Sequence, residues 1–390
     1  MMSMKKKACS KIDEISSQLI DVGKEIFDNP EIALKEAKAS RLLVDHLMKA
    51  GFEVEHGVAD METAIRAVHP DRKDGPTVAI LAEYDALPGL GHGCGHNLIA
   101  AAALGASLGL GSLKKDLPGT LVFLGTPAEE DVGGKIAMVE HGFFEGVDAA
   151  MMFHPSAGYN LVGREGLAMA EVKIEFQGKS AHASASPEKG INALDAVIQT
   201  FNGINALRQH IKSTARIHGV ITNGGVKPNI VPDFASAHFY VRALEDDYCE
   251  VLLARVENCA KGAASATGAS LKFEIIEPFY KSRKMNKALG EAFAKNLAIL
   301  GEGIDRLPYG AGLGSSDIGN VSQVVPSIHP YLSICGKEVA GHSKEFAEAS
   351  VSPRGNEAMI KAAKALAMTA IDMFTDPEFA KRVREEFEST

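Results

Sequence analysis

Asp85, His92, Cys94 and His96 fall together in one glycine-rich bend, EYDALPGLGHGCGHN, which runs into an alanine-rich helix. Further along stand two adjacent acids, Glu129 and Glu130 in GTPAEED, and then His154 in FHP. Thiolate, imidazole and carboxylate together form a ligand set for a divalent transition metal. Cys94 and His96 can act as a pair only if the chain turns sharply between them. Gly91, Gly93 and Gly95 permit such a turn, because glycine tolerates positive φ. Neighbouring side chains of an extended segment diverge, so one of Glu129 and Glu130 can hold metal while the other faces a water as general base. A metal lowers the pKa of that water from about 16 to about 7. Each residue also has a plainer reading when taken singly. Cys94 alone is a small core residue, the Glu pair complements a helix dipole, and His154 is a turn residue. Two rival functions use the same residues: a hydrolase with Cys94 as nucleophile, and a non-catalytic subunit on the same fold.

These residues share a position relative to predicted elements. TVAILA (77–82), TLVFLG (120–125) and DAAMMF (148–153) are apolar runs of strand length without clean alternation. That pattern predicts strands covered on both faces, in a mostly parallel sheet with helices near 98–112 and 133–144. Each run ends in candidate ligands, and side chains just beyond the carboxyl ends of parallel strands converge on one crevice. Ile12, Ile15, Leu19, Val22 and Ile26 recur at helical spacing, and SRLLVDHLMKAG reads as a second helix closed by Gly51. From Glu171 the texture changes to β-α-β-β-α-β, a ferredoxin-like α+β unit. The expected organisation is an α/β domain over 1–169 and 282–390, interrupted by a smaller domain over 170–281. A Gly-rich stretch, YGAGLGSSDIGN, and a long C-terminal helix follow.

Composition narrows the function. The 390 residues carry 41 basic and 50 acidic side chains, a formal net charge of −9, which disfavours nucleic acid or an anionic membrane as partner. No apolar run approaches the ~20 residues of a spanning helix, and the basic start lacks the apolar core of a secretory signal. Five scattered cysteines fit free thiols in a reducing cytoplasm.

Over nearly its whole length the sequence resembles the co-catalytic metallopeptidases of the aminoacylase and carboxypeptidase-G kind, in their amidohydrolase branch. The motifs are NPEIALKEAKAS, AEYDALPGLGHGCGHN, GTPAEED, FHP, GKSAHAS, PNIVPDF, VRA, GSSDIGNVS and AGHSKEF. The bend is most similar to that of the p-aminobenzoyl-glutamate hydrolase and dipeptidase-like group. The resemblance implies a parallel-sheet catalytic domain with a ferredoxin-like lid or dimerisation domain, and two divalent ions, Mn or Zn before Co or Ni. It implies five ligands: Cys94 in the bridging place, Glu130 and His342 for one ion, His96 and His154 for the other. Glu129 would be the general base, and Asp85 would orient His96. The role of Glu83 is left open. His182 would reach across a homodimer to the oxyanion, and Asn229 and Arg242 would hold the substrate carboxylate. Gly314, Ser315, Ser316 and Asp317 would line the cleft. The implied activity is cleavage of the amide bond in N-acyl-amino acids, dipeptides or aminobenzoyl-glutamate-like substrates, with small molecules as the only partners besides a second copy.

Overall fold

The computed structural model describes residues 2–306 and 313–389 and resolves two compact units. Of the described residues, the first unit holds 2–165, 283–306 and 320–389; the second is Gly166–Ser282 with Leu313–Gly319. Of the Gly-rich stretch, Tyr309 to Gly312 lies outside the described residues.

The first unit opens with α1 (Met2–Glu14), α2 (Ser16–Asp28) and α3 (Ala37–Lys49). Ile12, Leu19, Val22 and Ile26 are buried as their spacing predicts, but the run is two helices, because Ile15 leaves helical geometry at φ −97°, ψ 9°. Next come β1 (Glu53–His56), β2 (Ile65–Val68), β3 (Thr77–Ala82), α4 (His96–Gly111), β4 (Thr120–Gly125), α5 (Gly134–Glu140), β5 (Ala149–Met151) and β6 (His154–Ala157). The second unit supplies β7 (Ala168–Gln177), α6 (Ala193–Leu207), β8 (Arg216–Asn223), β9 (Phe234–Ala243), α7 (Asp246–Thr267) and β10 (Ser270–Tyr280). The chain then runs through α8 (Lys287–Ile299), α9 (Ile318–Val324), β11 (Ser327–Ile328), β12 (Tyr331–Cys335), α10 (Lys344–Ala349), α11 (Pro353–Thr375) and α12 (Pro377–Glu388).

In the first unit the six-stranded sheet has the order β1-β2-β4-β3-β5-β11. Its centre, β4, β3, β5 and β11, is parallel, and β1 and β2 add an antiparallel edge. The mixed sheet is thus mostly parallel where the candidate ligands leave it. β6 is not the end of β5, as the run DAAMMF implied, but a separate strand paired in parallel with β12. Behind the sheet lies α4, apolar around its whole circumference, as expected of a helix enclosed on all sides. It packs against α2 and α11 through small residues, so that neighbouring backbones come close.

The second unit is an antiparallel sheet of order β10-β7-β9-β8 with α6 and α7 against it, the ferredoxin-like order. β7 alternates buried and half-buried residues, so Val172, Ile174 and Phe176 face the helices. Among the described residues no helix is long and apolar enough to cross a membrane.

The closeness of α4 to its neighbours is testable. A Cβ on Gly105 would lie 2.6 Å from Leu19 Cδ1 and 3.2 Å from the Cβ of Ala363. Gly105→Val should therefore overpack this three-helix junction and cost about 1–3 kcal/mol, read as a lower urea midpoint at unchanged slope.

Candidate metal centre

The bend after β3 is set by its own backbone. Leu87 N–H donates to Gly91 O (2.9 Å), Gly93 N–H to Gly91 O (2.8 Å) and Gly95 N–H to His92 O (3.0 Å). Gly91 and Gly95 take the positive φ expected of them, +72° and +79°, whereas Gly93 is confined by space instead, against Leu90. Gly95 is doubly constrained. A Cβ there would stand 2.6 Å from Pro155 Cγ, so the turn between Cys94 and His96 is pressed onto the segment that carries His154. His92 does not join the cluster. Its buried ring bonds Ile26 O at 3.0 Å and ties the bend to α2.

Two imidazoles are oriented by acceptors behind them. His96, fully buried, donates from Nδ1 to Asp85 Oδ1 (2.9 Å) and lies 3.0 Å from Asp85 O. His154 donates from Nδ1 to Pro155 O (2.7 Å). Both rings therefore turn Nε2 toward the same place, the arrangement that a second partner imposes on metal-binding histidine. There Cys94 Sγ stands 3.4 Å from His154 Nε2, and His96 Nε2 has no hydrogen-bond partner.

The acids close the other side. Glu129 and Glu130 sit in a turn, not in extended chain, after Ala128 at φ +60°, so they do not diverge as expected. Their oxygens lie 4.0 Å and 3.8 Å from His96 Nε2. What separates them is their other neighbours. Glu130 Oε1 is buried without a hydrogen-bond partner and 3.6 Å from His342 Nε2, while its backbone N–H donates to Asp85 Oδ2. His342, from a loop remote in sequence, is held by its N–H on Gly93 O at 3.0 Å. Within the first unit, among the described residues, potential ligand atoms lie within 4.8 Å of one another in three groups: Cys94, His96 and His154; Cys94, Glu130 and His342; His96, Glu129 and Glu130. Cys94 is common to the first two.

Two residues that sequence reasoning missed support this arrangement, and a third had been left open. Glu83 is buried, accepts from Lys135 Nζ at 2.5 Å and turns its other oxygen to within 3.4 Å of His96 Nε2. Lys135 carried no signal, since a lysine on a short helix reads as a solvated one. Glu36, also buried, accepts from Leu34 N–H, Thr63 Oγ and Ala128 N–H, the last at 2.9 Å, and so holds the turn that bears Glu129.

The donor set fits a cation by its electrostatics as well as its atoms. Burial would lower the His96 pKa, but Asp85, then Cys94 and Glu83, outweigh it and raise the value well above the ordinary imidazole range. Burial takes His154 down to about 4, and burial with the Glu130 charge lifts the Cys94 thiol well above its usual value. A neutral thiol beside a neutral imidazole is a poor nucleophile. The same thiol becomes a thiolate ligand when a cation arrives.

In the second unit His182 and Asn229 are exposed on adjoining segments, linked by Ala183 N–H to Asn229 O at 3.1 Å. The N–H groups of Ser184 and Ala185 point at His182 Nδ1 (3.4 and 3.3 Å), which leaves Nε2 as the outward donor of the neutral ring. Arg242, on β9, is half-buried over the Tyr240 ring, with a buried Nε that has no hydrogen-bond partner. Gly314, Ser315, Ser316 and Asp317 also belong to this unit.

A thiol, two imidazoles oriented through Nδ1 and a carboxylate pair at the ends of parallel strands form the donor set of a metallohydrolase centre. Residues 162–267 match the peptidase dimerisation domain of the M20 peptidases. The chain is 40% identical to the Xaa-Arg dipeptidase of Mus musculus, over 98% of this chain and 92% of that protein. It is 29% identical to a p-aminobenzoyl-glutamate hydrolase chain of Escherichia coli, over 94% and 91%. Among solved structures, a dinuclear metal-binding peptidase from Bacillus subtilis superposes with a TM-score of 0.69 at 21% identity, covering 93% of this chain and 99% of that one. The chain belongs to the M20 metallopeptidase family, and it is a metal-dependent amidohydrolase.

Two outcomes follow from the supports of the centre. Asp85→Asn removes the acceptor that fixes His96 and should weaken divalent-metal binding about 10–100-fold, measured by competition with a chromogenic chelator. Burial raises the Glu36 pKa to about 7 in the folded protein, against 4.5 for the free side chain. The folded state thus holds this proton longer, and stability present at low pH is lost as pH rises between those values, by up to about 3 kcal/mol. Glu36→Gln should flatten that decline, seen as a smaller drop in denaturation midpoint between pH 4.5 and 8.

Proposed function

We propose that the chain hydrolyses the amide bond that joins an acyl or aminoacyl group to an amino acid, with Glu129 as general base. N-acyl-amino acids, dipeptides and aminobenzoyl-glutamate-like compounds are the substrate class, in line with the dipeptidase and aminobenzoyl-glutamate hydrolase among its relatives. The observation that carries this reading is the pair of donor groups sharing Cys94. His96 and His154 would hold one ion, and Glu130 and His342 the other. Two divalent ions, manganese or zinc ahead of cobalt or nickel on this mixed set, would polarise the scissile carbonyl and acidify water.

The chain's own residues do the rest. Glu129, whose carboxylate lies 4.0 Å from His96 Nε2 outside the two donor groups that share Cys94, would take a proton from the attacking water and return it to the leaving amine. Asp85 holds His96 in one tautomer, and Glu36 holds the turn beneath Glu129. His182 would donate Nε2–H to the developing oxyanion, worth about 3 kcal/mol by comparison with other oxyanion donors. Asn229 and the planar fork of Arg242 would take the substrate's free carboxylate. A homodimer through the second unit is part of the reading. It is supported by the match to a dimerisation domain and by the free edge of β8, where Val220 and Ile221 are exposed. Five free cysteines fit a cytoplasmic setting.

Glu129→Gln should keep its metal content while turnover of an N-acyl-amino acid or dipeptide falls about 10²–10⁴-fold. In the wild type, dialysis against a chelator should abolish turnover and Mn²⁺ or Zn²⁺ should restore it. Activity that survives the chelator but not thiol alkylation would assign the chemistry to Cys94 as nucleophile instead.

A further inference from the structure

Within the first unit, a cavity of about 250 Å³ lies beside the metal centre but does not include its ligands. Its wall combines the 162–164 segment, residues 283–287, one side of α8, and the link between β11 and β12. The charged side chains are uneven in sign: Arg164, Arg283, Lys284 and Lys287 against Glu291 alone. On the link stands His329, 5% exposed, its ring 5.3 Å from that of His154 and 4.9 Å from that of Tyr331. Neither ring nitrogen of His329 has a hydrogen-bond partner. Arg283 reaches the Tyr331 hydroxyl only at 3.3 and 3.4 Å, and its Nε is likewise buried without a hydrogen-bond partner.

Buried polar groups find partners in folded proteins, and an imidazole with both nitrogens idle is the exception that calls for a ligand. The unpaired atoms here include the N–H of a guanidinium and of an imidazole, in a cavity whose charged side chains are mainly cationic. A planar guanidinium matches a carboxylate in geometry and charge. We propose that this cavity binds a small organic carboxylate, held by Arg283 and His329 one ring behind the metal ligand His154. The carboxylate is either an acidic group of the substrate itself or a free small acid that acts from this site. An arginine side chain is disfavoured in this cavity by like charge.

The binding test does not depend on the hydrolase reading, whereas the kinetic test rests on it. The metal-loaded full chain is titrated with glutarate by calorimetry, with 1,5-diaminopentane as the cationic control of similar length. Glutarate should bind and the diamine should not. Arg283→Met and His329→Gln should each weaken glutarate roughly tenfold, with metal content unchanged. Arg283→Lys, which keeps charge and bulk, should weaken it as well because the fork is lost. Glutarate affinity equal in all variants, or diamine binding as tight as glutarate, overturns the proposal. The source is then read from kinetics. If the carboxylate is the substrate's own, the variants raise KM for substrates with acidic side chains and leave neutral ones unchanged. If it is a free acid, glutarate alters the rate for neutral substrates in the wild type and loses that effect in the variants.

Discussion

An unmet demand for positive charge around His96 Nε2 governs the rest of this molecule. Three carboxylate oxygens, from Glu83, Glu129 and Glu130, approach that one atom to within 4.0 Å, in a place where His96 and Glu83 have no access to water. Gathering charge of one sign out of solvent is unfavourable unless a counter-charge comes with it. In the protein by itself Asp85, then Cys94 and Glu83, hold the His96 pKa well above the ordinary imidazole range. A cation meets the same demand better, because it also claims the His154 Nε2 lone pair and the Cys94 sulfur, which lie 3.4 Å apart.

The scaffold exists to hold those groups against their mutual repulsion. Central parallel strands project their successors from one edge, so β3 supplies Glu83 and Asp85 while β4 supplies the Glu129–Glu130 turn. α4 begins at His96 and is sealed on all sides, which fixes that ring more firmly than a loop could. Loops do the remaining placement, each through a single backbone bond or close contact. Gly95 presses on Pro155, His342 hangs from Gly93, and Ala128 is tethered to Glu36.

The sequence carried the parts of this design that are local. Strand-length apolar runs ending in acids and histidines announce a crevice, and glycines around Cys94 announce a tight bend, because both signals sit within a few residues of each other. The fold class and the βαββαβ order were legible for the same reason. The β1–β2 edge was not, since EVEH and IRAV are short and half polar, and neither was the break at Ile15, where apolar spacing continues across a non-helical residue. Partners remote in sequence left no local mark. His342 emerged only through family resemblance, and Glu36, Lys135 and His329 are buried polar residues whose neighbours alone look ordinary. The expectation that Glu129 and Glu130 diverge failed because it assumed extended chain, and the turn at Ala128 folds both toward His96.

Lys135 gives the charge pattern its sense. A buried lysine beside Glu83 looks like a structural ion pair, and such pairs contribute little to stability once desolvation is counted. Its effect is on the balance of the centre. Asp85, Glu83, Glu129 and Glu130 all reach His96 to within 4.0 Å, and Lys135 offsets one of these four acids. Without Lys135, Glu83 would stand 3.4 Å from His96 Nε2 as a buried charge with one counter-charge fewer. Bound to lysine, Glu83 is held back as part of the wall, which supports the proposal that Glu129 faces the water and Glu130 holds the ion. The ion pair that sequence reasoning passed over thus helps four acids share one centre.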